Sequence, residues 1–136
     1  MKKAFFLAVI IAVFFTGLNA AVDAVPNTLT VRIYEPLEIM INPGFAAANP
    51  YDYSKTEIRV VFRDPLNAEI QCSAFYIESE NYTGYMARFT PGRKGTWFYS
   101  ARIEKGPEGG KTAWQAFECI DNPGAKGFIV PSPVDP

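Results

Sequence analysis

From Leu29 to Ile120 apolar residues fall on every second position in short runs, and Pro, Gly, Asn or Asp interrupts each run after a few residues. Such alternation is the pattern of strands with one buried face, and no stretch of this region sustains the 3.6-residue spacing of an amphipathic helix. Leu29, Val31 and Ile33 share one parity, and Leu37, Ile39 and Ile41 form a second set after Pro36. Beyond a long Pro-, Gly-, Ala- and Asn-rich loop over 42–55, Ile58, Val60 and Phe62 alternate with Glu57, Arg59 and Arg63 up to the turn signal Asp64-Pro65-Leu66-Asn67. One further strand is expected over 70–77. Tyr85, Ala87 and Phe89 follow, then Trp97, Tyr99, Ala101 and Ile103, and finally a strand over 114–120.

The pattern predicts an all-β, immunoglobulin-like antiparallel β-sandwich of about seven or eight strands. Its expected core is Ile58, Val60, Phe62, Ala87, Phe89, Trp97, Tyr99 and Phe117, with Trp97 a buried tryptophan and Tyr99 a corner-type tyrosine. Arg88 should point outward and pair with a neighbour such as Glu57 or Glu118. The Gly- and Lys-rich segment 104–112 reads as a hairpin loop, 126–130 as a short final strand, and 131–136 as a stiff proline-rich tail resembling a linker stub.

Ahead of this region, Met1-Lys2-Lys3 leads into an apolar run from Ala4 to Phe15 and then a polar stretch with small residues, the order of a secretory signal peptide. The run is shorter than the roughly 20 residues that span a bilayer. Residues 1–24 are therefore expected to be removed, with cleavage after Ala20 or Ala24, leaving a sandwich over 25–130. No cysteine follows either site to carry a lipid, so the expected product is secreted or periplasmic, with no stable membrane insertion.

Composition narrows the chemistry. The chain contains no histidine, which removes the commonest general base and the commonest transition-metal ligand. A net charge of −1 with no basic run gives no electrostatic footprint for nucleic acid. Gly109-Gly110-Lys111-Thr112 lacks the earlier glycine of a phosphate-binding loop, since Lys105 stands in that place. The carboxylate pairs Glu35/Glu38, Asp52/Glu57 and Glu78/Glu80 lie beside turns or on outward strand positions, where solvated surface is the ordinary role rather than glycosidase chemistry. No enzyme activity, metal or cofactor is expected. Cys72 and Cys119 either pair as a disulfide in an oxidising compartment or stand as two small buried apolar residues.

The informative residues are aromatic, because flat rings stack on the apolar faces of sugars while neighbouring polar groups take up hydroxyls. Tyr51 and Tyr53, flanking Asp52 in the long loop, are the leading candidates for carbohydrate contact. Trp114, whose parity is opposite to that of Phe117 and Cys119, joins them. Tyr76, Tyr82 and Tyr85 cluster around the turn at 78–84, and Phe75 and Phe98 have outward parity. Two or more coplanar exposed rings would favour a polysaccharide ligand, and a broad apolar patch would favour a protein partner.

Six motifs occur in order: Tyr34-Glu35-Pro36-Leu37-Glu38, Asn49-Pro50-Tyr51, Val61-Phe62-Arg63-Asp64-Pro65, Arg88-Phe89-Thr90-Pro91, Gly95-Thr96-Trp97-Phe98-Tyr99 and Phe117-Glu118-Cys119. Together they resemble the immunoglobulin-like domain of unknown function (domain of unknown function 5060) that precedes the catalytic barrel of bacterial glycoside hydrolases. The resemblance runs from about Val31 to Val130. It implies the sandwich fold, but not the activity, which belongs to the barrel. Where the family often has a His-Gly pair leading into the next strand, this chain has Lys126-Gly127-Phe128. The resemblance thus implies a stand-alone relative or a fragment of a split reading frame. The functional expectation is a non-catalytic exported module associated with extracellular carbohydrate processing. The alternative is a structural or interaction domain that docks onto a separate glycoside hydrolase or cell-surface component.

Overall fold

The computed structural model describes residues 21–129, so most of the expected signal peptide over 1–24 and the proline-rich tail over 131–136 lie outside the described residues. Ten strands follow in order: β1 (Asp23–Pro26), β2 (Thr30–Arg32), β3 (Leu37–Asn42), β4 (Glu57–Arg63), β5 (Glu69–Ser73), β6 (Phe75–Glu78), β7 (Thr83–Phe89), β8 (Gly95–Lys105), β9 (Gly110–Lys111) and β10 (Gln115–Ile120). One sheet has the order β1-β3-β7-β6, the other β2-β10-β8-β4-β5, and the two-residue β9 extends the second by pairing with β8. Every pairing is antiparallel except β2 with β10. Lettered as immunoglobulin strands, the sheets read A-B-E-D and A′-G-F-C-C′.

Alternation built these faces as expected. All eight predicted core residues are buried, and Leu37, Ile39 and Ile41 complete the opposing sheet. Phe62 sits at the middle: its ring stacks on Phe89 of the other sheet at 4.0 Å and 13°, and meets Phe117 edge-on at 6.4 Å. Trp97 is buried, and its indole N–H donates to the Arg93 carbonyl at 2.9 Å, satisfying the one polar atom that burial would otherwise strand.

Several expectations are corrected. The single strand over 70–77 is two, because the chain leaves one sheet at Ala74 and joins the other, and Ala74 donates its N–H to the Ile58 carbonyl at that crossing. The count rises to ten through this split, the short β9, and β1. The domain also begins before residue 25, since Asp23 and Ala24 belong to β1 and pair with Asn42 and Ile41. Tyr99 is not a corner tyrosine: it is fully buried in mid-strand, with its hydroxyl on Gln115 rather than on a nearby turn. Arg88 pairs with Glu38 at 2.6 Å, because β7 lies beside β3 and places the two in register. Residues 126–129 form no strand. Instead, Phe128 packs edge-on against Tyr34 at 4.9 Å and lies over Gly92, where a Cβ would meet its ring at 3.1 Å.

Candidate functional site

The topology gathers the β3–β4 loop (43–56), the β6–β7 turn (79–82) and the β8–β9 loop (106–109) at one end of the sandwich, the end that carries the binding loops of immunoglobulin variable domains. Short polar side chains shape the long loop. Asn42 Oδ1 accepts from Gly44 N–H, Asn49 Oδ1 from Tyr51 N–H, and Asp52 Oδ1 from both Ser54 N–H (3.0 Å) and Ser54 Oγ (2.6 Å). These are Asx-type turns, which substitute side-chain acceptors for missing ladder partners.

Held this way, the loop lies against the β6 edge and encloses a cleft of about 410 Å³ lined by Asn42, Phe45, Pro50, Tyr76, Tyr82 and Tyr85, among others. That volume falls within the ~300–1,000 Å³ typical of small-ligand sites. Tyr51 meets Tyr76 edge-on (5.3 Å, 86°), and Tyr76 meets Tyr85 edge-on (5.2 Å, 72°), so the three rings are connected: Tyr76 and Tyr85 line the cleft, and Tyr51 packs against Tyr76 outside its lining. Tyr82 closes another side. Its hydroxyl donates to the Tyr85 carbonyl at 2.6 Å, and its ring lies so close over Gly84 that a Cβ there would sit 2.7 Å from the Tyr82 oxygen.

Electrostatics around the cleft are simple. No Lys or Arg lines it. Partial desolvation, with the neighbouring Glu78 carboxylate, pushes the Tyr51 hydroxyl above its ordinary pKa, and burial does the same to Tyr82 and Tyr85. All three are neutral donors and acceptors at physiological pH. Asp52 is lowered, chiefly by the Ser54 hydrogen bonds and further by Lys55, which lies 3.6 Å away.

The predicted contact residues are therefore only partly united. Tyr51 is 55% exposed and Tyr53 49% exposed. Tyr51 joins the cluster, whereas the Asp52 carboxylate is committed to its own loop. Tyr51 with Tyr76, and Tyr76 with Tyr85, meet edge to face, so this cluster does not supply the coplanar pair that would favour a polysaccharide. Trp114 is 42% exposed but belongs elsewhere, on the outer face of the six-stranded sheet, with the Arg63 guanidinium 4.3 Å above its ring. On that face Val61 and Ser100 are buried despite outward parity, and the Ser100 hydroxyl donates to the Thr112 carbonyl at 2.9 Å. Sequence reasoning missed Asn42, Phe45 and Pro50, since nothing local shows that their loop folds back over β6 and β7.

Other expected chemistry can be placed. Of the two alternatives for Cys72 and Cys119, the structure has the unpaired one: both are free thiols, and β5 and β10 are three strand positions apart, at least about 14 Å, where a disulfide needs Cα atoms within about 7 Å. Among the described residues, no group of three or more His, Cys, Asp or Glu could hold a metal ion. No helix there is long and apolar enough to cross a membrane. Of the carboxylates weighed as acid pairs, Glu38 is bound to Arg88, and Glu57 to Arg59 and Lys105.

Two sheets in this strand order, with binding-end loops around an aromatic cleft, define an immunoglobulin-like β-sandwich module. The chain belongs to the family described as Domain of unknown function (DUF5060), whose model matches residues 30–104. A solved structure of a candidate glycoside hydrolase from Bacteroides vulgatus is similar in fold, with a TM-score of 0.52 and 23% sequence identity. The match covers 70% of this chain but only 17% of that one, so this fold recurs there as a small part of a much longer protein. No curated protein matches the chain.

Proposed function

We propose that this protein is an exported, non-catalytic module of extracellular carbohydrate processing that binds a neutral glycan in the tyrosine cleft. The observation that carries the reading is the cleft itself, with Tyr76, Tyr82 and Tyr85 offering ring edges and hydroxyls beside the Asn42 amide and no cation among its lining residues. Neutral sugars need apolar ring contact plus donors and acceptors, and a wall without Lys or Arg offers nothing to an acidic one. Support for export comes from the charged, apolar and polar order of residues 1–20. Family membership, and a fold neighbour described as a candidate glycoside hydrolase, supply the carbohydrate context.

Affinity electrophoresis through gels containing neutral plant or algal polysaccharides tests this directly. At least one should retard the protein, and Tyr76→Ala or Tyr51→Ala should abolish the retardation while the variant stays folded. Retardation unchanged by both substitutions, or absent with every polysaccharide, would refute the cleft.

One observation favours the alternative of docking onto a separate glycoside hydrolase. Val25, Met40, Met86 and Phe75 lie in register across the outer face of the four-stranded sheet, forming an apolar row bordered by the Glu38–Arg88 pair. A Met40→Lys variant that bound glycan normally but lost co-purification with a hydrolase would favour that reading.

A further inference from the structure

Arg59 of β4, Arg102 of β8 and Lys111 of β9 are direct cross-strand partners, with Arg102 in the middle. All three project from the outer face of the six-stranded sheet, since the flanking Ile58, Val60, Ala101 and Ile103 face inward. Ser73 of β5 continues the row beyond Arg59. Like charges placed directly opposite one another on neighbouring strands destabilise a sheet, and here two such pairs share one residue.

Local acids neutralise the row only in part. Glu57 is divided between Arg59 (2.6 Å) and Lys105 (3.3 Å). Glu104 approaches Arg102 only to 3.9 Å at Nε, and that atom is buried without a hydrogen-bond partner. Lys111 takes part in no ion pair among the described residues.

We propose that the Arg59–Arg102–Lys111 row is a binding site for the carboxylate or sulfate groups of an acidic polysaccharide laid across the strands. Its charges repeat at the strand separation, about 4.8 Å, whereas side chains on one side of an extended peptide repeat at about 6.6 Å, which argues against an acidic peptide. No exposed aromatic stands in the row to stack a base, which argues against a single-stranded nucleic acid. Ser73 and Gln71, which lies 3.5 Å from Arg59 Nη1, supply neutral partners for hydroxyls at one end. This site is separate from the tyrosine cleft, so a glycan bearing both neutral and acidic residues could engage the two independently.

The test is affinity electrophoresis of the full chain in gels containing polygalacturonate, dextran sulfate, unsubstituted dextran or polyglutamate. Polygalacturonate, dextran sulfate or both should retard the protein more than dextran and polyglutamate do, separating a carboxylate from a sulfate preference. The double substitution Arg102→Gln with Lys111→Gln should weaken that binding about tenfold or more. It should melt no lower than the parent, because it relieves like-charge opposition. A control, Lys94→Gln with Lys126→Gln, changes the net charge equally away from the row and should bind normally. Equal loss in the control, no preference for the acidic glycans over dextran, or equal retardation by polyglutamate would each overturn the proposal. Tyr76→Ala should leave the acidic binding intact.

Discussion

The hydroxyl of Tyr99, buried in the middle of β8, donates to Gln115 Oε1 at 3.0 Å, while Gln115 Nε2 donates to the Ala24 carbonyl at 3.2 Å. Three strands are thereby tied across the interior: β8 and β10 of one sheet, and β1 of the other. Tyr99→Phe keeps the ring packing and removes the hydroxyl. The part-buried Gln115 oxygen then loses its donor, and stability should fall by about 1–2 kcal/mol in urea unfolding. An unchanged midpoint would mean that water replaces the donor without cost.

The same network bears on processing. Ala24 is buried, pairs with Ile41, and lends its carbonyl to Gln115, so cleavage after Ala24 would remove two of the four residues of β1. Cleavage after Ala20 leaves the strand whole. On the proposed export, intact-mass measurement of the mature protein should give Ala21 as the first residue, and a chain beginning at Val25 should melt at a lower temperature.

Gly84 links cleft shape to stability. A methyl group there would collide with the Tyr82 hydroxyl and displace the ring from its place in the cleft lining. Gly84→Ala should therefore weaken neutral-glycan retardation several-fold, and it should also cost about 1 kcal/mol or more through its positive φ of 153°. Full binding in a Gly84→Ala variant would show that Tyr82 does not shape the site.

Acid should loosen the corner around Glu57. Hydrogen bonds from Arg59 and then Lys105 hold its carboxyl below the ordinary range. A depressed folded-state pKa means that the stabilisation is present above the unfolded-state value and is lost as pH falls through the folded one. Melting temperature should drop with acidification, and Glu57→Gln should flatten that drop. Parallel profiles for parent and variant would assign the acid sensitivity to other carboxylates.

Free thiols make the last prediction. Burial raises the pKa of both cysteines, the neighbouring Glu118 adding to it at Cys119, so both should react slowly in the native state. Unfolding without reductant should expose two alkylatable thiols per chain. Finding none would mean that the protein pairs them by a rearrangement of the sheet.

Much of the sandwich was legible because burial on a strand imposes period 2, and Ile58, Val60, Phe62, Tyr85, Ala87, Phe89, Trp97 and Tyr99 carry that period without interruption. The absence of histidine and the balanced charge also follow from composition alone. Parity, however, is a one-strand property. It could not show that the chain changes sheets at Ala74, because residues 70–77 alternate straight through the crossing. Nor could it pair Arg88 with Glu38, set Arg59, Arg102 and Lys111 in one row, or keep Cys72 from Cys119, since each depends on which strands become neighbours. Tyr51 and Trp114 looked equivalent in sequence. Only the packing of two sheets sent one against Tyr76 of the cleft wall and the other under an arginine on the opposite sheet, because long-range contacts, not local pattern, decide where an exposed ring ends up.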